Sequence, residues 1–78
     1  MRGPENIVKF HLSRHKDDAK ECTPKDWDRI AEAEKLRYID WGRAADLEDE
    51  AESEYARRVL HSIRTYLYHM EEASAGLL

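Results

Sequence analysis

The fold of this chain is decided by residues 55–70, whose sequence is YARRVLHSIRTYLYHM. Apolar side chains recur there at steps of three and four, the spacing that gathers them on one face of an α-helix. They are Ala56, Val59, Leu60, Ile63, Leu67 and Met70, with Tyr66 on the flank. The segment predicts an amphipathic helix against which the rest of the chain packs.

Length and composition favour one small helical domain. The chain has 78 residues, of which 38% are charged, and both prolines lie within the first 24 positions. A core of this size is usually marginal unless a disulfide, a metal or a partner subunit adds stability. Cys22 is the only cysteine, so no disulfide can form within the chain. We therefore expect self-association to supply the stability.

No segment has the pattern of a signal peptide or a membrane span. The N-terminal residues lack the apolar stretch of a secretory signal, and no run approaches the ~18 apolar residues that a spanning helix needs. The expected location is the cytoplasm, without contact with a membrane.

Charge is spread unevenly along the chain. The net charge is −4, which argues against a general nucleic-acid binder. Residues 46–54 contain six acidic side chains and no basic one, whereas residues 55–70 contain Arg57, Arg58 and Arg64 and no acid. In an antiparallel homodimer, the acidic run of one subunit can approach Arg57, Arg58 and Arg64 of the other.

A second helix is predicted to begin at Pro24. Thr23 is the N-cap, Pro24 takes the first helical position, and Asp26 places an acid at the third. We predict that this helix spans residues 24–41 and ends at Gly42, the residue type that favours the position after a helix. Its inward candidates are Trp27, Ile30, Ala31, Tyr38 and Trp41, with Ala33, Leu36 and Ile39 widening the face.

The long helix is then predicted over residues 45–73, with the acidic run as its opening turns and Asp46 as its N-cap, because acids are stabilised near a helix N-terminus. The alternative is one bent helix that passes through Gly42 and must dimerise.

The N-terminal segment, residues 5–21, carries two competing patterns. Val8, Phe10 and Leu12 alternate as in a short strand, but a lone strand has no sheet to join. A helical spacing links Val8, Leu12, His15, Ala19 and Cys22. We favour a helix or a partly ordered arm over the strand.

Together these patterns predict an all-α fold. Residues 23–78 form a helical hairpin of two long antiparallel helices, residues 1–22 form an N-terminal arm or short third helix, and the chain assembles as a dimeric, coiled-coil-like bundle. The longer second helix would leave Tyr66, Leu67 and Met70 uncovered, so either residues 7–22 return over that end or a second subunit covers it. The small core favours a homodimer. The predicted core or dimer residues are Trp27, Ile30, Trp41, Val59, Leu60, Ile63, Leu67 and Met70.

Few residues suggest chemistry. His11, His15 and Cys22 could share a helical face, but a structural zinc site needs a fourth ligand and no matching pair occurs elsewhere. The sequence has no phosphate-binding glycine loop and no nucleophile motif. We therefore expect no metal, no cofactor and no enzymatic activity.

One surface pattern remains. Arg57, His61, Arg64 and Tyr68 lie at steps of four, three and four on the face beside the apolar one. This basic line could bind an acidic protein surface, contact phosphates, or simply be solvated, with Glu54 paired to Arg57 or Arg58.

The favoured function is a small protein–protein interaction module, such as an adaptor, inhibitor or regulatory factor of bacterial or phage type. The alternative is a nucleic-acid-binding regulator that uses the basic N-terminal arm and the arginines of the basic line. The absence of a helix-turn-helix spacing and the repulsion between the acidic run and phosphates favour the first.

Overall fold

The structure is a computed structural model that describes residues 4–76. Within these residues it has five α-helices, one 3₁₀ turn and no strand, so the all-α prediction is confirmed there. The helices are α1 (Pro4–Arg14), α2 (Lys16–Ala19), α3 (Pro24–Glu34), α4 (Trp41–Glu50) and α5 (Glu54–Gly76), and the 3₁₀ turn is Tyr38–Asp40.

Helix α5 is the axis of the molecule. Its 23 residues extend for about 34 Å, most of the 43 Å long dimension. All four other helices and the 3₁₀ turn contact it. Its apolar face is fully buried at Ala56, Val59, Leu60 and Ile63. The pattern in residues 55–70 therefore predicted the central element correctly.

Helix α3 begins where the sequence predicted. The Thr23 hydroxyl accepts the Asp26 amide at 3.1 Å, and Pro24 follows as the first helical residue. The predicted end at residue 41 is wrong, because the helix stops at Glu34 and Arg37 adopts an extended conformation. The Arg37 amide then donates to the Asp40 carboxylate, 3.3 Å away, which opens the 3₁₀ turn.

The chain reverses at residues 51–53 rather than at the predicted 42–45. Helices α4 and α5 run antiparallel, since Trp41 contacts Glu71 at one end of the pair and Glu48 contacts Arg64 nearer the other. Gly42 lies in the first turn of α4, so its assignment as the residue that ends a helix is wrong. The structure thus has an antiparallel pair of ten and 23 residues in place of helices over 24–41 and 45–73.

The acidic run lies at the end of α4 instead of opening the long helix. Burial explains this placement, because Ala44 and Leu47 provide an apolar face that packs against α5. The N-cap of α5 is Ser53 rather than Asp46: the Ser53 hydroxyl accepts the Ala56 amide at 3.2 Å.

The N-terminal segment is helical, so the strand alternative is wrong. Val8 of α1 and Ala19 of α2 are buried in the same core as α5. Phe10 and Leu12 are both exposed. The helical turn places Phe10 on the opposite side of α1 from Val8, whereas Leu12 is exposed although it follows Val8 by one turn.

Candidate functional site

Arg57, the first arginine of the predicted basic line, is paired with an acid of its own helix. Arg57 contacts the Glu54 carboxylate at 3.2 Å and donates to the Ala51 carbonyl at 3.3 Å. Glu54 also accepts from Arg58 at 3.4 Å. The ion pairs expected for a solvated face are therefore present.

Arg64 and His61 converge on one carboxylate of α4. Arg64 donates from Nε to Glu48 at 2.8 Å, His61 Nδ1 lies 3.2 Å from the same carboxylate, and Arg64 Nη2 lies 2.9 Å from His61 Nδ1. Burial acts to raise the pKa of Glu48, but these two partners outweigh it and hold the pKa below its ordinary value. The cluster ties α4 to α5, so these side chains contribute to the fold.

Tyr68 completes the predicted line and packs against α4. Its ring meets the Trp41 indole edge to face, with 5.1 Å between centroids. Trp41 Nε1 donates to Glu71 at 3.3 Å, and a hydrogen bond to Glu72 raises the pKa of Tyr68. Tyr68 nevertheless remains exposed on its outer side.

The predicted core or dimer residues fall into three groups. Ile30, Val59, Leu60, Ile63 and Leu67 are buried, Trp41 is half-buried, and Trp27 and Met70 are exposed. The expectation that Leu67 would be uncovered is wrong, because it is only 2% exposed in the single chain. Trp27 lies at the edge of the core, with its ring 6.0 Å from that of Tyr55.

An apolar surface lies at the end of the molecule where α4 begins. Tyr38 and Ile39 of the 3₁₀ turn are exposed, and Asp40 separates them from Trp41, which contacts Tyr68. We call Tyr38, Ile39, Trp41 and Tyr68 the aromatic end patch. Met70 is also exposed, but it follows Tyr68 by two residues and therefore lies on another side of α5, beside Tyr66 and His69. The sequence pattern assigned Tyr38 and Ile39 to a buried face, because it did not reveal that α3 stops at Glu34.

A polar joint around Asp26 fixes the reversal between α4 and α5. The Asp26 carboxylate is fully buried and accepts the amides of Glu52 and Ser53, each at 2.9 Å, together with Arg29 Nη1 at 2.9 Å. Burial acts to raise the pKa of Asp26, but these hydrogen bonds hold it below its ordinary value. The joint was missed because sequence gives Asp26 only its local role in capping α3.

The histidines and the cysteine considered for a metal have separate partners. His11 Nε2 lies 3.1 Å from the Ser62 hydroxyl, whereas the Cys22 thiol lies 3.5 Å from the Ser53 hydroxyl. No three His, Cys, Asp or Glu residues within 4–76 form a metal-binding group. The His11–Ser62 contact resembles part of a nucleophilic pair. However, burial and then the nearby His15 and Arg58 lower the pKa of His11, and no carboxylate within residues 4–76 is recorded in a hydrogen bond with its ring.

None of the helices within residues 4–76 is both long and apolar enough to cross a membrane. No protein-family model, curated protein or solved structure gives a significant match to this chain.

Proposed function

We propose that the protein is a non-enzymatic interaction module that binds a protein partner through the aromatic end patch. The observation that carries the proposal is the exposure of Ile39, 51% exposed, and of Tyr38 at the end of the molecule where Tyr68 packs on Trp41. The large aliphatic side chains Leu60, Ile63 and Leu67 of α5 are by contrast buried. Aromatic residues are enriched at protein interfaces, where a few of them supply most of the binding energy.

The patch replaces the basic line as the favoured contact surface. Arg57 and Arg64 are occupied by Glu54 and Glu48, and separating those pairs would cost part of any binding energy gained. The same pairing weighs against the alternative of a nucleic-acid-binding regulator, because arginines that are already neutralised attract phosphates less strongly. A cytoplasmic location and a homodimer remain predictions.

A matched pair of charge insertions tests the proposal. Ile39→Glu places a carboxylate in the patch, and Leu12→Glu places the same charge on α1, where Leu12 is 42% exposed. We expect affinity capture, followed by binding measurements with the purified partner, to show loss of the complex for the first variant only. Equal binding by both variants would contradict the patch.

The nucleic-acid alternative has its own measurement. Fluorescence anisotropy with a short labelled duplex, repeated over a series of salt concentrations, should show no binding at physiological salt. Binding that falls steeply with salt and is lost on changing Lys9 and Lys16 to Gln would favour the alternative.

A further inference from the structure

The aromatic end patch borders two carboxylates of α5, those of Glu71 and Glu72. Trp41 Nε1 donates to Glu71 at 3.3 Å, and the Tyr68 hydroxyl hydrogen-bonds to Glu72. This hydrogen bond and the charge of Glu72 raise the pKa of Tyr68, and burial and then the charge of Glu71 add to the effect. Both carboxylates therefore lie beside the two rings that pack edge to face in the patch.

Within residues 4–76, neither carboxylate forms an ion pair with an arginine or a lysine. Lys35 and Arg37 precede the 3₁₀ turn, and Arg37 is paired with Asp40 at 3.8 Å. His69 Nδ1 lies 3.9 Å from Glu72 and offsets its charge only when the ring is protonated. The indole and phenol donors are neutral, so their hydrogen bonds leave the negative charge in place. The α5 side of the patch therefore attracts a cation.

A side chain of another molecule can reach both the ring and the charge. Tyr68 is 39% exposed, and the Glu72 side chain is 57% exposed. Trp41 and Glu71, behind them, are each half-buried. Because Tyr68 and Glu72 are four residues apart on one helix, they lie on the same face, and one cationic group can contact both.

A ring beside a carboxylate suits a guanidinium better than an ammonium. A guanidinium is planar, so it can stack on an aromatic face while its N–H groups point outward in its own plane, where a carboxylate accepts two of them. The negative face of the ring also attracts the cation. A lysine ammonium is a more strongly hydrated point charge and has no flat face to stack. Arginine is therefore the side chain that fits this surface.

We propose that the aromatic end patch binds a basic segment of a partner protein, whose arginine stacks on the Tyr68 ring and pairs with Glu72. Glu71 adds to the attraction, and an apolar side chain of the same segment covers Tyr38 and Ile39. This inference rests on the proposed function, because it specifies the chemistry of the partner at the same surface.

The test uses the blocked peptide acetyl-Leu-Ala-Arg-Ala-Leu-amide and the same peptide with Gln or Lys in place of Arg. Two-dimensional NMR of the ¹⁵N-labelled chain follows the indole N–H signal of Trp41. The indole of Trp27, which lies beside Tyr55 near the start of α5, is the internal reference. The protein is kept dilute, so that self-association through the same patch does not compete with the peptide.

We expect the arginine peptide to shift the Trp41 signal saturably, with a dissociation constant on the order of millimolar because the peptide is short, and to leave the Trp27 signal unchanged. The glutamine peptide should bind about three- to tenfold more weakly, because it lacks the charge that both the ring and the carboxylate attract. The lysine peptide should also bind more weakly than the arginine peptide.

Glu71→Gln combined with Glu72→Gln removes both charges, while the new amide oxygens can still accept the indole and phenol protons. The arginine peptide should bind this double variant as weakly as the glutamine peptide binds the unchanged protein. Asp49→Asn combined with Glu50→Gln is the matched control. These two adjacent acids are exposed at the opposite end of α4 from Trp41, and their loss changes the net charge by the same amount. This control should bind like the unchanged protein.

Several results would overturn the proposal: no saturable shift with the arginine peptide, equal binding of the arginine and glutamine peptides, tighter binding of the lysine peptide, or equal losses in the two double variants. A Trp41 signal that shifts with the concentration of the protein itself but not with the peptide would assign the patch to a second copy and would also overturn it.

Failure of this inference can be distinguished from failure of the proposed function. A captured partner that is lost with Ile39→Glu but retained with Glu71→Gln and Glu72→Gln would overturn the arginine and keep the patch as a protein-binding surface. Equal capture by Ile39→Glu and Leu12→Glu would instead contradict the proposed function.

Discussion

At the scale of single residues, Asp26 connects parts of the chain that are far apart in sequence. Its backbone amide donates to the Thr23 hydroxyl at the start of α3, while its carboxylate accepts two amides from the turn that precedes α5 and pairs with Arg29. A buried carboxylate of this kind is stable only because every charge and amide around it is paired. The reversal at residues 51–53 therefore depends on a residue 26 or 27 positions away.

Replacing Asp26 with Ala should lower the free energy of unfolding by about 2–4 kcal/mol, because the amides of Glu52 and Ser53 and the Arg29 guanidinium lose their partner. Urea denaturation followed by circular dichroism measures the change. Asp28→Ala is the control: Asp28 is exposed on the same helix, and its loss should change stability by less than about 0.5 kcal/mol. Similar values for the two variants would show that the Asp26 joint does not hold the turn.

At the scale of helices, the sequence predicted those elements whose signals are local. The start of α3 and the apolar face of α5 were both correct, because a cap and a 3.6-residue period are written in neighbouring residues. The two chain breaks were missed. Neither residues 35–37 nor residues 51–53 contain Gly or Pro, and contacts with Asp40 and Asp26 stabilise them instead.

The candidate sites show the same difference between local signals, which the sequence contains, and long-range contacts, which it does not reveal. The basic line lies on α5 as its spacing indicated, and Glu54 pairs with Arg57 within that helix, as the spacing also allowed, whereas Glu48 meets Arg64 only through the α4–α5 reversal. The aromatic end patch could not be predicted while Tyr38 and Ile39 were assigned to an uninterrupted helix.

Gly42 distinguishes the observed α4 from the predicted end of a helix. It lies in the first turn of α4 without positive φ, and an added Cβ would meet nothing within 4 Å. Gly42→Ala should therefore stabilise the protein by about 0.5–1 kcal/mol, since alanine loses less backbone entropy in a helix. Thermal unfolding of the two proteins measures this. A lower melting point for the variant would contradict the placement of Gly42 inside α4 and favour the predicted position after the end of a helix.

The contact between α1 and α5 should weaken in acid. Partial burial of His11, then the nearby His15 and Arg58, lower its pKa from the ordinary 6.5. The unfolded chain therefore takes up this proton more readily than the folded one. The stability that neutral His11 contributes is fully present above pH 6.5. It is lost as the pH falls through the lower pKa that His11 has in the folded chain.

His11→Gln should remove this part of the pH dependence, because glutamine does not titrate and can still hydrogen-bond to Ser62. Urea titrations at several values between about pH 5 and pH 7.5 measure it. His69→Gln is the control, since His69 is exposed on the outer part of α5. This variant should still lose free energy of unfolding as the pH falls. An unchanged pH profile for the His11 variant would assign the loss to another group.

At the scale of the whole molecule, one core unites the described helices. Its buried members come from every helix from α1 to α5, including Val8, Ala19, Ile30 and Leu47. A core shared in this way favours a single cooperative unfolding transition. The structure also changes the argument for a homodimer. Leu67 is covered within the chain, and Glu48 and Glu54 already pair with the arginines that were expected to meet the acidic run of a second subunit.

A homodimer is still expected, now through the aromatic end patch, because a 78-residue chain has a small core and leaves Tyr38 and Ile39 exposed at one end. The melting point should then rise over a roughly hundredfold increase in protein concentration, since association stabilises the folded state by mass action. Ile39→Glu should abolish the rise and give the mass of one chain in light scattering, whereas Leu12→Glu should preserve both. A melting point that is independent of concentration in the unchanged protein would rule out the dimer and leave the patch to a different protein, because self-association cannot then contribute to stability.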